Sequence, residues 1–331
     1  MTRRRYQVIL NEHAGTCAQV PDLEARIRKA LGEGRDAKVQ VSRSRTPEEA
    51  IRIAAHARRC EMDAVVAVGG DGTHHWLVDA LAGGDTPLAL IPLGTANDLA
   101  ENYDIPRDLE AACEVIRAGG RTRVDLLSVE GKCFATAGGM GLATDVALGV
   151  CAMRQRHRWF HWLMRLLGGS IYTLYMLFTV LLSWRIGYSW RLEDEQGDTR
   201  EVHGYMAVFM NQPFLGRNFR AVPDADNRDG CFDLLLVKQS PRLARLRLLG
   251  TLSASLRGRH IGRPDVEVVR AKKLLVTTPR PARFFADGEL VAEATRFEFG
   301  VMPRALPLLV PLAHATAGSS DEARVARRRA A

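Results

Sequence analysis

The residues with the clearest chemical purpose lie in Asp63–Thr73, which reads DAVVAVGGDGT. An apolar strand, Asp63–Val68, runs into Gly69-Gly70-Asp71-Gly72, and a helix is expected from Thr73 to Ala82. Glycines permit close backbone approach, and the N-terminus of a helix offers unbonded N–H groups to a phosphate. Asp71 is the odd member, because a carboxylate beside phosphates is repelled unless a cation bridges them. A magnesium-linked role reconciles the two. The segment is not a Walker loop, since GxxxxGK[ST] is absent, nor a GxGxxG loop, since the sixth position is His75. A plain glycine-rich turn would not need an acid between two glycines.

A second strand-to-loop junction follows at Ile91-Pro-Leu-Gly-Thr-Ala-Asn-Asp98. Gly94 and Thr95 can approach the same nucleotide, because adjacent parallel strands bring their C-terminal loops together. Asp98 either supports the network around Asp71 or caps the next helix. Further along, Asp287-Gly288-Glu289 follows the strand Ala282–Ala286. An acid on such a turn could accept the proton of an attacking hydroxyl, and a simple Asp-Gly hairpin is the alternative. Pro223–Phe232 carries Asp226, Asp229 and Cys231. Oxygen ligands at i, i+3 and i+5 suit a hard cation, although an acidic turn reads the same way. His157 and His161 have i, i+4 spacing but stand among arginine and tryptophan, so we read them as interfacial and not as metal ligands. His74-His75 reads as a helix start, and Gly138-Gly139-Met140-Gly141 as closely packed backbone.

The elements that must position these residues change character along the chain. Strands at Tyr6–Leu10, Ala37–Ser42, Asp63–Val68 and Pro87–Ile91 alternate with helices at Asp22–Leu31, Thr46–Arg59 and Thr73–Ala82. Strands apolar on both faces that alternate with helices imply a covered parallel sheet. Thr46, Pro47 and Glu49 form a capping-box signature. After about Val124 strand-like runs dominate, and no repeat is visible. The fold class expected is therefore α/β, with an N-terminal parallel-sheet nucleotide-binding domain over residues 1–127. A larger β-rich, antiparallel sandwich-like domain follows over 128–310, its last strand open to returning to the first. A basic tail at 311–331 reads as disordered.

The chain has 331 residues, 47% of them hydrophobic and 25% charged, ample for two cores and unlike a disordered chain. A net charge of +8 suits nucleotide phosphates, nucleic acid or an acidic membrane, without choosing among them. Six scattered cysteines with no CxxC pair read as reduced thiols, which points to a cytoplasmic protein. No secretory signal follows the basic start, Met1-Thr-Arg-Arg-Arg. Leu166–Trp184 holds 19 residues without a charge. Its glycines, hydroxyls and mid-chain position argue for an interfacial or buried helix in place of a span. The preceding Arg154–Arg165 segment mixes arginines with Trp159 and Trp162, a composition suited to a headgroup boundary.

VVAVGGDGT followed by PLGTANDLA resembles the diacylglycerol kinase catalytic domain family, which includes sphingosine kinases and bacterial lipid kinases; GGDG alone would also admit NAD kinases. The resemblance spans about residues 6–310. It implies an ATP- and Mg²⁺-using kinase that phosphorylates a membrane-lipid hydroxyl, diacylglycerol by default, with sphingoid base, ceramide or phosphatidylglycerol as alternatives and a catalytically silent lipid-binding protein as another. By this resemblance Asn11 and Gly15 belong to the first nucleotide loop, with Glu12 replacing the family's proline. Ser42, Gly69, Gly70, Asp71, Gly72, Thr73, Thr95 and Asp98 fall on nucleotide-binding or supporting positions. Asp287 falls on the proposed general base, and Glu289 joins Asp71 in the metal-water network. Asp226, Asp229 and the backbone carbonyl of Cys231 match the ligands of a structural Mg²⁺. The expected partners are a membrane lipid, an anionic membrane surface bound peripherally and a possible homodimer, with no nucleic acid.

Overall fold

The computed structural model describes residues 3–12, 20–94, 96–157, 159–160, 162–163, 170–182, 187–215, 219–239, 244–255 and 258–315. The chain forms two compact units. Met1–Gly94, Leu99–Val124 and Arg304–Ala331 make the first; Thr95–Asp98 and Asp125–Pro303 make the second.

The first unit alternates strand and helix: β1 (Arg4–Asn11), α1 (Leu23–Ala30), β2 (Ala37–Ser44), α2 (Pro47–Arg59), β3 (Ala64–Gly69), α3 (Asp71–Leu81), β4 (Leu88–Pro92), α4 (Asp98–Asn102) and α5 (Leu109–Ala118). Its sheet runs β2-β1-β3-β4 with every pair parallel. β3 is buried throughout, and Val8, Val66, Ile91, Ile27 and Ile116 share one core. A variant of the capping box forms at α2: Thr46 accepts a hydrogen bond from the Glu49 N–H at 3.3 Å, while the Glu49 carboxylate accepts from the N–H of Arg45, one residue before the cap, at 2.9 Å. β2 extends to Ser44, two residues beyond the expected end, because its parallel pairing with β1 continues through Leu10–Arg43 to Asn11–Ser44, where Ser44 is fully buried. α5 was not anticipated. Asp108 caps it through the Ala111 N–H at 2.9 Å, and Gly119 closes it at φ +72°.

The chain enters the second unit along β5 (Arg121–Val129), followed by β6 (Lys132–Phe134), β7 (Ala137–Gly141), α6 (Leu142–Arg156), α7 (Ser170–Leu182), β8 (Tyr188–Glu193), β9 (Thr199–Met210), β10 (Phe214–Leu215), β11 (Phe219–Arg220), β12 (Phe232–Lys238), α8 (Ala244–Ser255), β13 (Val266–Ala271) and β14 (Lys273–Ala286). β15 (Glu289–Leu309) leads back to the first unit, where Leu308 pairs in parallel with Leu88, and α9 (Leu312–Ala315) follows. Within the second unit the order β13-β12-β9-β7-β14-β15 is antiparallel, with β8 bridging β9 and β14 and β5 pairing with β15 and β6.

Alternation along these strands makes two cores. Phe134, Phe209, Phe284, Phe297 and Phe299 fill one, with Phe209 and Phe299 stacked at 3.7 Å between centroids. The opposite side packs Val208, Leu235 and Val237 against Leu142, Val146, Val180 and Leu248 of three helices. A parallel α/β unit and a β-rich, sandwich-like unit are the architecture expected, but α6 and α8 were missed. Gly141 precedes α6 at φ +71° and no side chain caps it, so no start signal existed to read. Among the described residues no cysteine is in a disulfide, and burial pushes the Cys113 thiol up to about 12. Residues 316–331 lie outside the described residues.

Candidate active site

In the first unit α3 starts at Asp71, two residues earlier than expected, with Gly70 as its extended N-cap. Asp71, Gly72 and Thr73 therefore occupy the first turn, whose N–H groups have no acceptor within the helix. A negative ligand there also meets the positive end of the helix dipole. Gly69 has a steric reason to be glycine, because a Cβ would collide with the Thr73 hydroxyl. That hydroxyl is fixed in turn, since Asn11 Nδ2 donates to Thr73 Oγ1 at 2.9 Å and both residues are buried. Register brings the loops together. Leu10 pairs with Val68 and Gly69 with Pro92, and the Leu93 N–H donates to the Gly69 carbonyl at 2.8 Å.

Ser42 sits differently from the expectation that a hydroxyl residue ends the second strand. Its Oγ accepts from Gln7 Nε2 at 3.0 Å, while Ser44 ends β2 and pairs with Asn11. Ser44 is thus the hydroxyl residue beside the first loop. Asp98 opens α4 and is buried. Gly15 and Thr95 lie outside the described residues.

In the second unit Asp287 and Gly288 are the central pair of the β14–β15 hairpin, with Ala286 paired to Glu289. Both have positive φ, +47° and +95°, which is the backbone of a two-residue primed turn. The Asp287 carboxylate is buried and accepts four hydrogen bonds. Oδ2 receives the Ala135 N–H at 2.7 Å. Oδ1 receives the Thr136 N–H at 3.0 Å, the Thr136 hydroxyl at 2.5 Å and the Ala137 N–H at 3.4 Å. The Asp287 N–H donates back to the Ala137 carbonyl at 3.1 Å. A plain Asp-Gly turn needs none of these side-chain bonds. Asn211 holds the donor segment, because its Nδ2 donates to the carbonyls of Asp125 at 2.8 Å and Ala135 at 2.7 Å. Thr136 and Asn211 were not singled out in the sequence. Asn211 stands one residue past an apolar strand, where a buried amide is the available signal. Gly138 leaves space for the Phe284 ring.

The acidic loop before β12 is neutralised from within the protein. Arg270 Nη2 lies 2.5 Å from Asp229 Oδ2, the Cys231 N–H donates to Asp229 Oδ1 at 3.0 Å, and Arg228 approaches Asp226 at 3.5 Å. Asp125 joins the loop by accepting the Gly230 N–H at 2.6 Å. Burial pushes the Asp229 carboxyl up, reinforced by Asp226 and Asp125, while Arg270 and the Cys231 N–H pull it down. Two acids and a backbone carbonyl fit a magnesium ion by donor type, but Arg270 already supplies the positive charge such an ion would bring.

The diacylglycerol kinase catalytic domain matches residues 5–129, and the YegS C-terminal NAD kinase beta sandwich-like domain matches 149–310. A diacylglycerol kinase of Mycobacterium tuberculosis is 30% identical over 75% of this chain and 77% of its own length. A diacylglycerol kinase of Bacillus subtilis is 31% identical over 73% and 76%. Solved structures from Bacillus anthracis described as diacylglycerol kinases cover 95% of this chain and 99% of their own, with TM-scores of 0.75 and 0.65 at 18% and 16% identity. At that identity they speak for the fold. The sequence relatives go further: this chain belongs to the diacylglycerol kinase family of lipid kinases.

Proposed function

We propose that the chain transfers the γ-phosphoryl group of ATP to a membrane-lipid hydroxyl, with diacylglycerol as acceptor and phosphatidic acid as product. The observation that carries this reading is the Asp287 carboxylate, buried and held by four donors, at the position expected from the sequence motif to act as general base. In this reading Gly69, Gly70, Gly72 and Thr73 receive the triphosphate on backbone N–H groups, with Asn11 locking Thr73. Gly15, Thr95, Asp98 and either Ser42 or the neighbouring Ser44 complete or support the nucleotide loops. The acceptor hydroxyl gives its proton to Asp287 as its oxygen attacks the γ-phosphorus, and ADP leaves. Asp71 would hold magnesium and its waters, with Glu289 as the second carboxylate assigned to that network, and the ion would neutralise charge on the phosphates.

Labelled ATP offered with diacylglycerol, sphingoid base, ceramide and phosphatidylglycerol, with products separated by thin-layer chromatography, tests the acceptor. Labelled phosphatidic acid is the expected product. Label in another lipid would reassign the acceptor, and turnover of NAD alone would sink the lipid-kinase mechanism.

Two further results are expected. Gly69→Ala should raise the KM for ATP about tenfold or more, because its Cβ must push Thr73 away from Asn11 and from the loop. Unchanged KM would remove this contact from nucleotide binding. At the acidic loop, magnesium bound by Asp226, Asp229 and the Cys231 carbonyl must compete with Arg270. Arg270→Gln leaves Asp229 without its counter-charge and should lower Tm by on the order of several degrees. Added magnesium should then recover more of that loss than it adds to the unsubstituted protein. Magnesium-independent Tm in both proteins would argue against a cation at this loop.

A further inference from the structure

We propose that the outward face of α7, together with Trp159 and Trp162, docks the protein on an anionic phospholipid leaflet. One side of α7 is ordinary core: Ile171 packs with Val150 and Phe160, and Val180 is fully buried beside Leu248. The opposite side is just as apolar. Leu174, Leu177, Phe178 and Leu181 fall at i, i+3, i+4 and i+7 and are 41–60% exposed. A helix on a protein surface normally turns polar residues outward, and α7 contains no charged residue. Trp159 and Trp162, 56% and 66% exposed, precede it in the chain. Seven of the twelve large exposed apolar side chains among the described residues fall between Trp159 and Leu181. Such concentration marks an interaction surface in a way that scattered exposed leucines do not.

Charge identifies the occupant. From Val146 to Leu192 the sequence has no Asp or Glu and six arginines. Arg154 and Arg156, at the end of α6, are exposed; Arg158, Arg165 and Arg185 lie outside the described residues. An arginine-flanked apolar stripe complements acyl chains beneath anionic headgroups, with tryptophans suited to the boundary. A second copy of this chain is disfavoured. A two-fold interface would place the same arginine-rich segment on both partners with no acid in it to answer. Packing sets the mode of binding. Ile171 and Val180 are committed to the protein's own cores, so only the outward stripe of α7 is left to enter the leaflet. Among the described residues no helix is long and apolar enough to cross a membrane. The face is thus placed at the headgroup boundary. The inference rests on the lipid-kinase reading only for why such a surface is present.

The test uses the full chain and vesicles of phosphatidylcholine, with or without phosphatidylglycerol, and the variant L177S/F178S/L181S, whose changes are all at exposed positions. The unsubstituted protein should sediment with phosphatidylglycerol vesicles and only weakly with phosphatidylcholine alone. Brominated lipid should quench its tryptophan emission. The variant should partition on the order of a hundredfold more weakly, with Tm and with activity on detergent-dispersed diacylglycerol unchanged. Vesicle binding equal in both proteins, or absent from both, overturns the proposal. So does a dimer that dissociates in the variant, since a second copy would then cover the face. Vesicle binding without phosphorylation of any lipid leaves this surface standing and removes the kinase mechanism alone.

Discussion

Asp287→Asn should lower kcat for lipid phosphorylation by about a thousandfold while leaving Tm within a few degrees of the unsubstituted protein. Asparagine tolerates the positive φ of this turn and keeps one oxygen for the Thr136 and Ala137 donors, while its amide NH2 faces the Ala135 N–H, a local cost that should lower Tm by a few degrees without unfolding the hairpin. What it loses is the ability to take a proton. The KM for ATP should hardly move, because the substitution touches no nucleotide loop. Thr136→Val provides the graded comparison. It removes only the hydroxyl that holds Asp287 Oδ1, and should lower kcat by about tenfold through a less well fixed carboxylate. If Asp287→Asn retained full activity, Asp287 would be a structural turn residue and the base would have to be sought elsewhere.

The second large effect is expected at Asp71. Alanine suits the first turn of α3, and the lost favourable interaction with the helix dipole is worth only about 0.3–1 kcal/mol, so the fold should persist. Phosphoryl transfer should nevertheless fall about a thousandfold, because a metal-linked carboxylate acts on charge that develops in the transition state. The remaining activity should need more magnesium to saturate. A kinetic assay at graded magnesium checks both points. A normal rate with a normal magnesium requirement would reduce Asp71 to a helix-capping acid.

Much of this was legible in the chain because the relevant physics is local. The apolar run Ala64–Val68 could only be a strand covered on both faces, and GGDG could only break it into a helix start. Thr46, Pro47 and Glu49 announced α2 by capping chemistry that depends on residues a few positions apart. What was hidden depends on distant partners. Thr136 and Asp287 are separated by 151 positions, Asn211 and Ala135 by 76, and no periodicity links them. Ser44 was missed because a polar strand end looks like a loop until Asn11 is seen paired beside it. Arg270 is one of many arginines in the sequence, and only the β12–β13 pairing brings it to Asp229. The uncharged run at 166–184 fixed a helix but not its role. Only the structure shows that one side of α7 is buried while the other remains apolar and exposed.

The most direct test of the account is to follow the terminal phosphorus. The full-length protein is incubated with magnesium and detergent-dispersed diacylglycerol, using ATP labelled at the γ-position in one reaction and at the α-position in the other. The account predicts label in phosphatidic acid from the γ-labelled nucleotide only, and its loss in Asp287→Asn. Label reaching lipid from the α-position, or γ-label reaching no lipid while ATP is consumed, would contradict it.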